Sequence, residues 1–372
     1  MYGDSGISQQ RGWHDFCISN YIMSILFIPN WNVRMLKDDD SCVQAPDKVV
    51  EGKPYWFFRH FDKVPDVTVL DLGPDSWFRS LEQKAKFYVR QPWQAVRQCA
   101  NYDLVISHGA QSGLVFELLS SWTRHRCPHL MIDVGCLNGG RINRTETPLI
   151  RYALRQAPHI VTHNSHQLDF YRQYYPKLAE KARFIPFGVD IDYFAPQPHS
   201  YSRTMVAFGH RKRDYETLCQ AFPRGEGWTL QVIGDRSLQS RYGCDDIQFY
   251  DAMPLNLLME HIAQSEAVVV PLPELPYSYG QMTLLQSMAM ARPVICTLTT
   301  GTMDYVGQAD CVETVGPSDV TAMRDALRRM MQRSDDERRE LGMQCRHWVE
   351  VNFSEARMAH QLEQYIDQIL HS

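Results

Sequence analysis

Three cations, Arg211, Lys212 and Arg213, follow Gly209 in the stretch FGHRKRDYETL (208–218). Like charges this close repel one another unless an anion neutralises them, and a diphosphate has the charge to do so. A solvated basic turn is the plainer reading of the same residues. A second stretch, PYSYGQMTLLQSMAMARPVICT (276–297), passes from a turn containing Gly280 into an apolar, helix-forming segment. Free amides at a helix start, here those of Gln281, Met282 and Thr283, attract anions, and the Thr283 hydroxyl adds a donor. Gly280 as a mere turn former is the alternative; Met282, Leu285, Met288 and Ala289 recur at helical spacing and read as a core stripe. In the first half, DLVISHGAQSGLVFELL (103–119) sets His108 at the carboxyl end of an apolar run, where it is either a site residue or a histidine satisfied by nearby backbone. The GAQSG inside that run is not a hydrolase elbow, because its serine sits one place off the GxSxG spacing.

The elements that must position these residues are legible as a repeating pattern. MSILFIPNW (23–31), VTVLDLG (67–73), DLVISH (103–108), HLMIDVG (129–135), HIVTHNS (159–165) and ARFIPFG (182–188) are apolar runs, most closing on a polar residue or glycine. SGLVFELLSSWTR and PLIRYALRQA between them have helical character. Such alternation predicts an α/β fold with a parallel sheet covered on both faces. The pattern lapses in a segment rich in Pro, Ser and Tyr and restarts at TMVAFGH (204–210), continuing through TLQVIGD, DIQFYDAM, AVVVPL and RPVICT. Two doubly wound, Rossmann-like domains in tandem are therefore expected: a first domain over 23–188, a linker over 189–202 and a second domain over 203–350. Residues 351–372 read as a last helix that crosses back to the first domain. Residues 1–22 lack the charged start and apolar middle of a signal peptide and read as a leader outside the fold, with Met23 as the functional start. Ser334 with Glu337 forms a capping box for a helix in the tail.

The chain has 372 residues, 44% hydrophobic and 22% charged, with a formal net charge of -5. This is a folded, globular balance, and it argues against nucleic acid as a partner. The ten cysteines are scattered without metal-ligand spacing, the mark of reduced, mostly buried thiols and a cytoplasmic location. HRCPH (125–129) groups two histidines and a cysteine, but no second cluster completes a zinc site, so no metal is assigned. No apolar run reaches the ~18 residues of a membrane span. WFRSLEQKAKFYVR (77–90) places Phe78, Leu81, Ala85 and Tyr88 on one helical face and Arg79, Gln83, Lys86 and Arg90 on the other. Five basic residues against Glu82 make 76–98 locally +4. An interfacial helix at an anionic membrane surface, on the inner face, reads this way, and so does an ordinary domain helix.

Taken in order, HIVTHNS, ARFIPFGVDIDYF, VAFGHRKRDYETLCQAF, TLQVIGD, LNLLMEHIAQSEAVVVPLPE, GQMTLLQSMAMARPVICT and DCVETVGPSDVTAMRDAL resemble the two-domain glycosyltransferases of the GT-B fold. The nearest likeness is the retaining group called glycosyltransferase family 4, or group 1, and it covers roughly 100–365. The resemblance implies a nucleoside-diphosphate sugar in the cleft as co-substrate, no cofactor, and a glycan, lipid or small-molecule acceptor. It implies hexosyl transfer with retention and without a metal, Arg211 and Arg213 on the diphosphate, and donor contacts near Gly234, Asp235 and Met253. His108 would lie close to the donor sugar. The chain departs from the family at a pair of acids eight apart, replaced by Ser278 and Gln286; Glu274 is the nearest carboxylate. The glycine pair usual after the first strand is replaced by Asn30 and Trp31, followed by the aromatic YWFFRHF (55–61), so the acceptor side is bulky. Two further readings stay open: an inverting transferase with Asp133 or His108 as base, and a nucleotide-sugar binder without turnover, suggested by Ser278 and Gln286.

Overall fold

The computed structural model describes residues 22–73, 80, 82, 87–123, 127–137, 147–156, 158–198, 202–210 and 212–371. Of the expected leader 1–22 all but Ile22, together with Arg211 and most of 77–86, lie outside the described residues. Two six-stranded sheets carry the fold, and every strand pair in them is parallel. The first contains β1 (Ser24–Pro29), β4 (Asp66–Val69), β5 (Leu104–His108), β6 (His129–Asp133), β7 (His159–Thr162) and β8 (Ala182–Phe184) in the order β4-β1-β5-β6-β7-β8. The second contains β9 (Thr204–Phe208), β10 (Thr229–Ile233), β11 (Ile247–Tyr250), β12 (Ala267–Val270), β13 (Val294–Thr297) and β14 (Val312–Val315) in the order β11-β10-β9-β12-β13-β14. Central strands such as LVISH and AVVV are buried at every position, as a sheet clothed by helices on both faces requires. A short parallel ribbon, β2 (Arg34–Leu36) with β3 (Lys48–Val50), was not expected from the sequence, because three residues carry too little pattern to register.

In each sheet the strand order turns about the domain's first strand, with β1 between β4 and β5, and β9 between β10 and β12. Ligands of open parallel sheets bind outside the carboxyl ends at this point. The two domains turn these ends toward each other.

After the helix Asp335–Asn352, whose Cys345 and Val349 belong to the second domain's core, the chain returns to the first domain. Val189 N–H donates to Phe353 O (2.9 Å) and Glu355 N–H to Val189 O (2.8 Å), so the outgoing and returning segments pair where they cross. The last helix, Glu355–Leu370, then buries Met358, Leu362, Ile366 and Ile369 among Ile25, Phe27 and Leu104. Ser334 and Glu337 form the capping box that their spacing predicts. The amphipathic reading of 77–90 fails at its end: Phe87–Val89 is not helical. A helix starts instead at Arg90, held by the buried Glu82 carboxylate, which accepts from Val89 N (2.6 Å) and Arg90 N (2.9 Å). Among the described residues no helix is long and apolar enough to cross a membrane.

Candidate active site

A cavity of about 1020 Å³ lies between the carboxyl ends of the two sheets. On the second-domain wall, the loop after β9 and the start of the helix Gln281–Ala289 meet. Gly209 has φ 134°, and a Cβ there would stand 2.7 Å from the Arg213 guanidinium, so only glycine lets that side chain lie back across the loop. Arg213 Nη2 donates to Thr283 Oγ1 (2.7 Å) and its guanidinium lies 5.1 Å from the Tyr279 ring centre. Lys212 Nζ lies 4.4 Å from the Tyr277 ring centre and donates to its hydroxyl. The two expected anchors, a basic loop and a helix start, are thus physically joined.

Gly280 precedes that helix with φ 85°, and a Cβ on it would strike Leu272 Cδ1 at 2.7 Å. Its glycine identity is therefore required twice, by conformation and by space. Gly280 as N-cap offers the helix no capping side chain, and the first internal bond runs from Leu284 N to Gly280 O (3.0 Å). The amides of Gln281, Met282 and Thr283 therefore have no intrahelical partner. Met282 is exposed, while Gln281, Thr283 and Gln286 are buried around the cavity. Ser278, also on the wall, turns its hydroxyl away to donate to His163 O (3.1 Å) on the first domain.

On the first-domain wall stand Asn30, Trp31, Asp47, Trp56, His108, Gln111 and His163. His108 ends β5 and touches aromatic rings, with Trp31 at 4.8 Å and Trp56 at 5.6 Å between ring centres. Among the described residues neither of its ring nitrogens has a hydrogen-bond partner. Burial, helped by the neighbouring His163, lowers its pKa to about 3, so the imidazole is neutral at pH 7. His163 is lowered to about 4 by burial, and its Nδ1 pairs with Ile185 O at 2.7 Å. Trp56 holds a left-handed backbone (φ 43°), with its indole N–H donating to Glu355 Oε2 of the last helix (3.0 Å).

The structure brings Asn30, Trp31, His108, Arg213, Gly280, Gln281, Met282, Thr283 and Gln286 to one cavity. Gly209 lies beneath Arg213, and the missing Cβ of Gly234 faces Gly209 O at 3.2 Å, so the turns after β9 and β10 touch below the site. Asp235 accepts from Ser237 N (2.8 Å) at the end of β10, and Met253 packs on the second domain's core; neither reaches the cavity wall. Asp133 requires a correction. It is fully buried off the cavity, and its carboxylate accepts from Gly135 N, Cys136 N and the Tyr171 hydroxyl (3.0, 2.8 and 2.7 Å). It fastens the β6 turn and is enclosed from any acceptor hydroxyl. Glu274 is likewise turned away, accepting from Thr300 N (3.1 Å). His129 of HRCPH is spent in a buried chain with Ser107 Oγ (2.9 Å) and Glu117 Oε1 (2.5 Å), and Cys127 Sγ donates to Tyr102 O.

Sequence reasoning missed His163, Gln111, Asp47 and Tyr277, reached Trp56 only as part of the aromatic YWFFRHF, and placed Tyr279 at the helix start without its cation partner. His163 carries the signal that singled out His108, a histidine closing an apolar strand. The tyrosines flank Ser278 in PYSYG with no pattern pointing to Lys212.

Residues 203–333 match the family model described as glycosyl transferases group 1. No curated protein matches the chain by sequence. Among solved structures it resembles sucrose-phosphate synthase from Thermosynechococcus elongatus (18% identity, 94% of this chain and 99% of that one, TM-score 0.67). It also resembles Anabaena HepE in complex with UDP-glucose (14% identity, 93% and 100%, TM-score 0.66). A third likeness is α,α-trehalose 6-phosphate synthase from Burkholderia multivorans (12% identity, 94% and 96%, TM-score 0.63). The fold is that of the GT-B glycosyltransferases, and the second domain carries the group 1 pattern.

Proposed function

We propose that this chain, a GT-B protein with a group 1 second domain, is a glycosyltransferase that moves a hexose from a nucleoside-diphosphate sugar to an acceptor hydroxyl with retention of configuration. The observation that carries this reading is the junction of Arg213 with Thr283 at an uncapped helix start, beside Lys212, on the wall of an interdomain cavity. Cations and amides that converge there suit a diphosphate.

In the reaction the bond from the sugar's anomeric carbon to the phosphate oxygen breaks and a bond to the acceptor oxygen forms. The acceptor proton passes to the leaving phosphate. Lys212, Arg213 and the amides of Gln281, Met282 and Thr283 stabilise the charge that grows on that phosphate, and the reading asks for no metal or other cofactor. Neutral His108 orients the sugar by accepting at one nitrogen and donating from the other. A nucleotide-sugar binder without turnover is the second reading, favoured by Ser278 and Gln286 where the resemblance implies acids. An inverting transferase based on Asp133 has the enclosed carboxylate against it. A peripheral contact with an anionic lipid surface also belongs to the proposal, resting on exposed Val89, Arg90, Trp93 and Arg97.

The test is thermal unfolding with UDP and other nucleoside diphosphates, then sugar release from the matching nucleotide sugars. A ligand at 100 times its Kd raises stability by about 2.7 kcal/mol. Arg213→Ala should weaken binding roughly ten- to hundredfold, the worth of a hydrogen bond to a charged group. No stabilisation by any nucleotide would remove the proposal, and binding without release or transfer would favour the silent binder.

A further inference from the structure

At the end of the second sheet opposite the cleft, a cavity of about 480 Å³ opens beside the residues that precede β12 and β13. Three guanidinium groups line it, those of Arg292, Arg338 and Arg339, against two carboxylates, Glu266 and Asp335. Both carboxylates are already engaged. Glu266 pairs with Arg338 Nε (3.0 Å) and accepts from Ser202 N (3.0 Å), and Asp335 accepts from Arg338 Nη2. Arg338 also lies 5.2 Å from the Trp228 ring centre, so its charge is matched within the fold.

Arg292 stands differently. It is 9% exposed and follows the turn that ends the helix Gln281–Ala289. Its side chain donates to the carbonyls of Met290, Ala263 and Ser265 (3.3, 3.2 and 3.0 Å), and among the described residues no carboxylate is bonded to it. Burial lowers its pKa from the ordinary guanidinium value, with Glu266 opposing, yet an arginine stays charged at pH 7. A buried cation held only by neutral carbonyls is costly until a counter-ion reaches it. Arg339 lines the same cavity, exposed, and among the described residues it too has no carboxylate partner. The carbonyl of Ala291 would collide with a Cβ on Gly342, so the glycine lets the helix that carries Arg339 close onto the turn that carries Arg292.

Two guanidinium groups without counter-ions on one cavity suit a dianion, and their forked donors match phosphate oxygens. The rest of the wall is largely apolar, with Pro196, Pro198, Pro293 and Met343. Small-molecule sites run from roughly 300 to 1,000 Å³, so there is room for an organic body behind the phosphate.

We propose that this cavity binds a small phosphate monoester, its phosphate between Arg292 and Arg339 and its body against the prolines and Met343. The site lies beyond the far end of the helix that opens on the cleft at Gln281, and it stands independently of the nucleotide-sugar reading.

The experiment titrates the full chain calorimetrically with phenyl phosphate and with inorganic phosphate, at ionic strength held constant with sodium chloride. Arg213→Ala is the reference protein, because the cleft offers phosphate a second group of cations. Phenyl phosphate should bind it saturably and about tenfold more tightly than inorganic phosphate, the worth of burying part of the ring. Adding Arg339→Glu should weaken phenyl phosphate at least ~tenfold, as the loss of a hydrogen bond between charged groups requires. Arg292→Met should do the same where it folds, and Arg339→Glu, at an exposed helix position, keeps the test independent of folding. Binding seen in wild type but lost in Arg213→Ala would place the anion in the cleft and overturn the proposal. So would an unchanged affinity in Arg339→Glu, inorganic phosphate binding as tightly as phenyl phosphate, or no binding of either.

Discussion

Ser278 shows how much one side chain's surroundings decide. Its hydroxyl donates to the His163 carbonyl across the domain boundary, and it is 7% exposed. A carboxylate aimed the same way would meet that carbonyl oxygen with no proton between them, so serine suits the closed arrangement better than the family's acid. His108 and His163 make a second residue-scale argument. Burial lowers them from 6.5 to about 3 and about 4. The unfolded chain binds protons on both below pH 6.5, and the folded chain refuses them until far lower. Their contribution to stability is therefore whole above pH 6.5 and is lost as pH falls toward 3 to 4. Urea unfolding should show His108→Gln losing less stability than wild type between pH 6.5 and 4; parallel curves would refute the burial argument. Residue types alone pointed to His108, Arg213 and Thr283, since each carries its chemistry visibly. They misplaced Asp133, because a carboxylate at a strand end looks the same whether it faces a cleft or a tyrosine.

The helix Arg90–Gln98 turns Gln91, Pro92, Ala95 and Val96 inward and leaves Arg90, Trp93 and Arg97 exposed, following exposed Val89. An exposed indole between two cations suits the boundary of an anionic bilayer. The protein should sediment with phosphatidylserine vesicles at low salt, and Arg90→Glu with Arg97→Glu, or about 0.5 M salt, should release it. Wild-type protein that stays in the supernatant would dispose of the idea. The sequence put its basic amphipathic signal across 77–90, most of which lies outside the described residues, and did not place the start of this helix at Arg90. That start depends on Glu82 reaching the amides of Val89 and Arg90, a contact that no periodicity encodes. The apolar strands were legible for the opposite reason, since burial on both faces writes itself as continuous apolar runs.

Across the whole molecule, a polar seam holds the domains around the cleft. Asp304 accepts from Ser165 N (2.8 Å) and Ser165 Oγ (2.6 Å), Asn164 Nδ2 donates to Thr300 O (2.7 Å), and the Tyr305 hydroxyl donates to His163 O (2.8 Å). Hydrogen bonds to a charged acceptor are worth roughly 1.5–3 kcal/mol each. Asp304→Ala should therefore open the cleft and lower UDP affinity about tenfold in calorimetric titration; an unchanged affinity would mean that the seam takes no part in binding. The sequence by itself determined the two parallel sheets, the break between them and the basic loop and helix start that line the cleft, because hydrophobic period, glycine and charge are local properties. Only the tertiary structure decided that Arg213 meets Thr283, that the last helix anchors Trp56 beside His108, and that Ser278 locks onto the other domain. Those pairings join residues from distant parts of the chain, and packing between domains, not local pattern, brings them together.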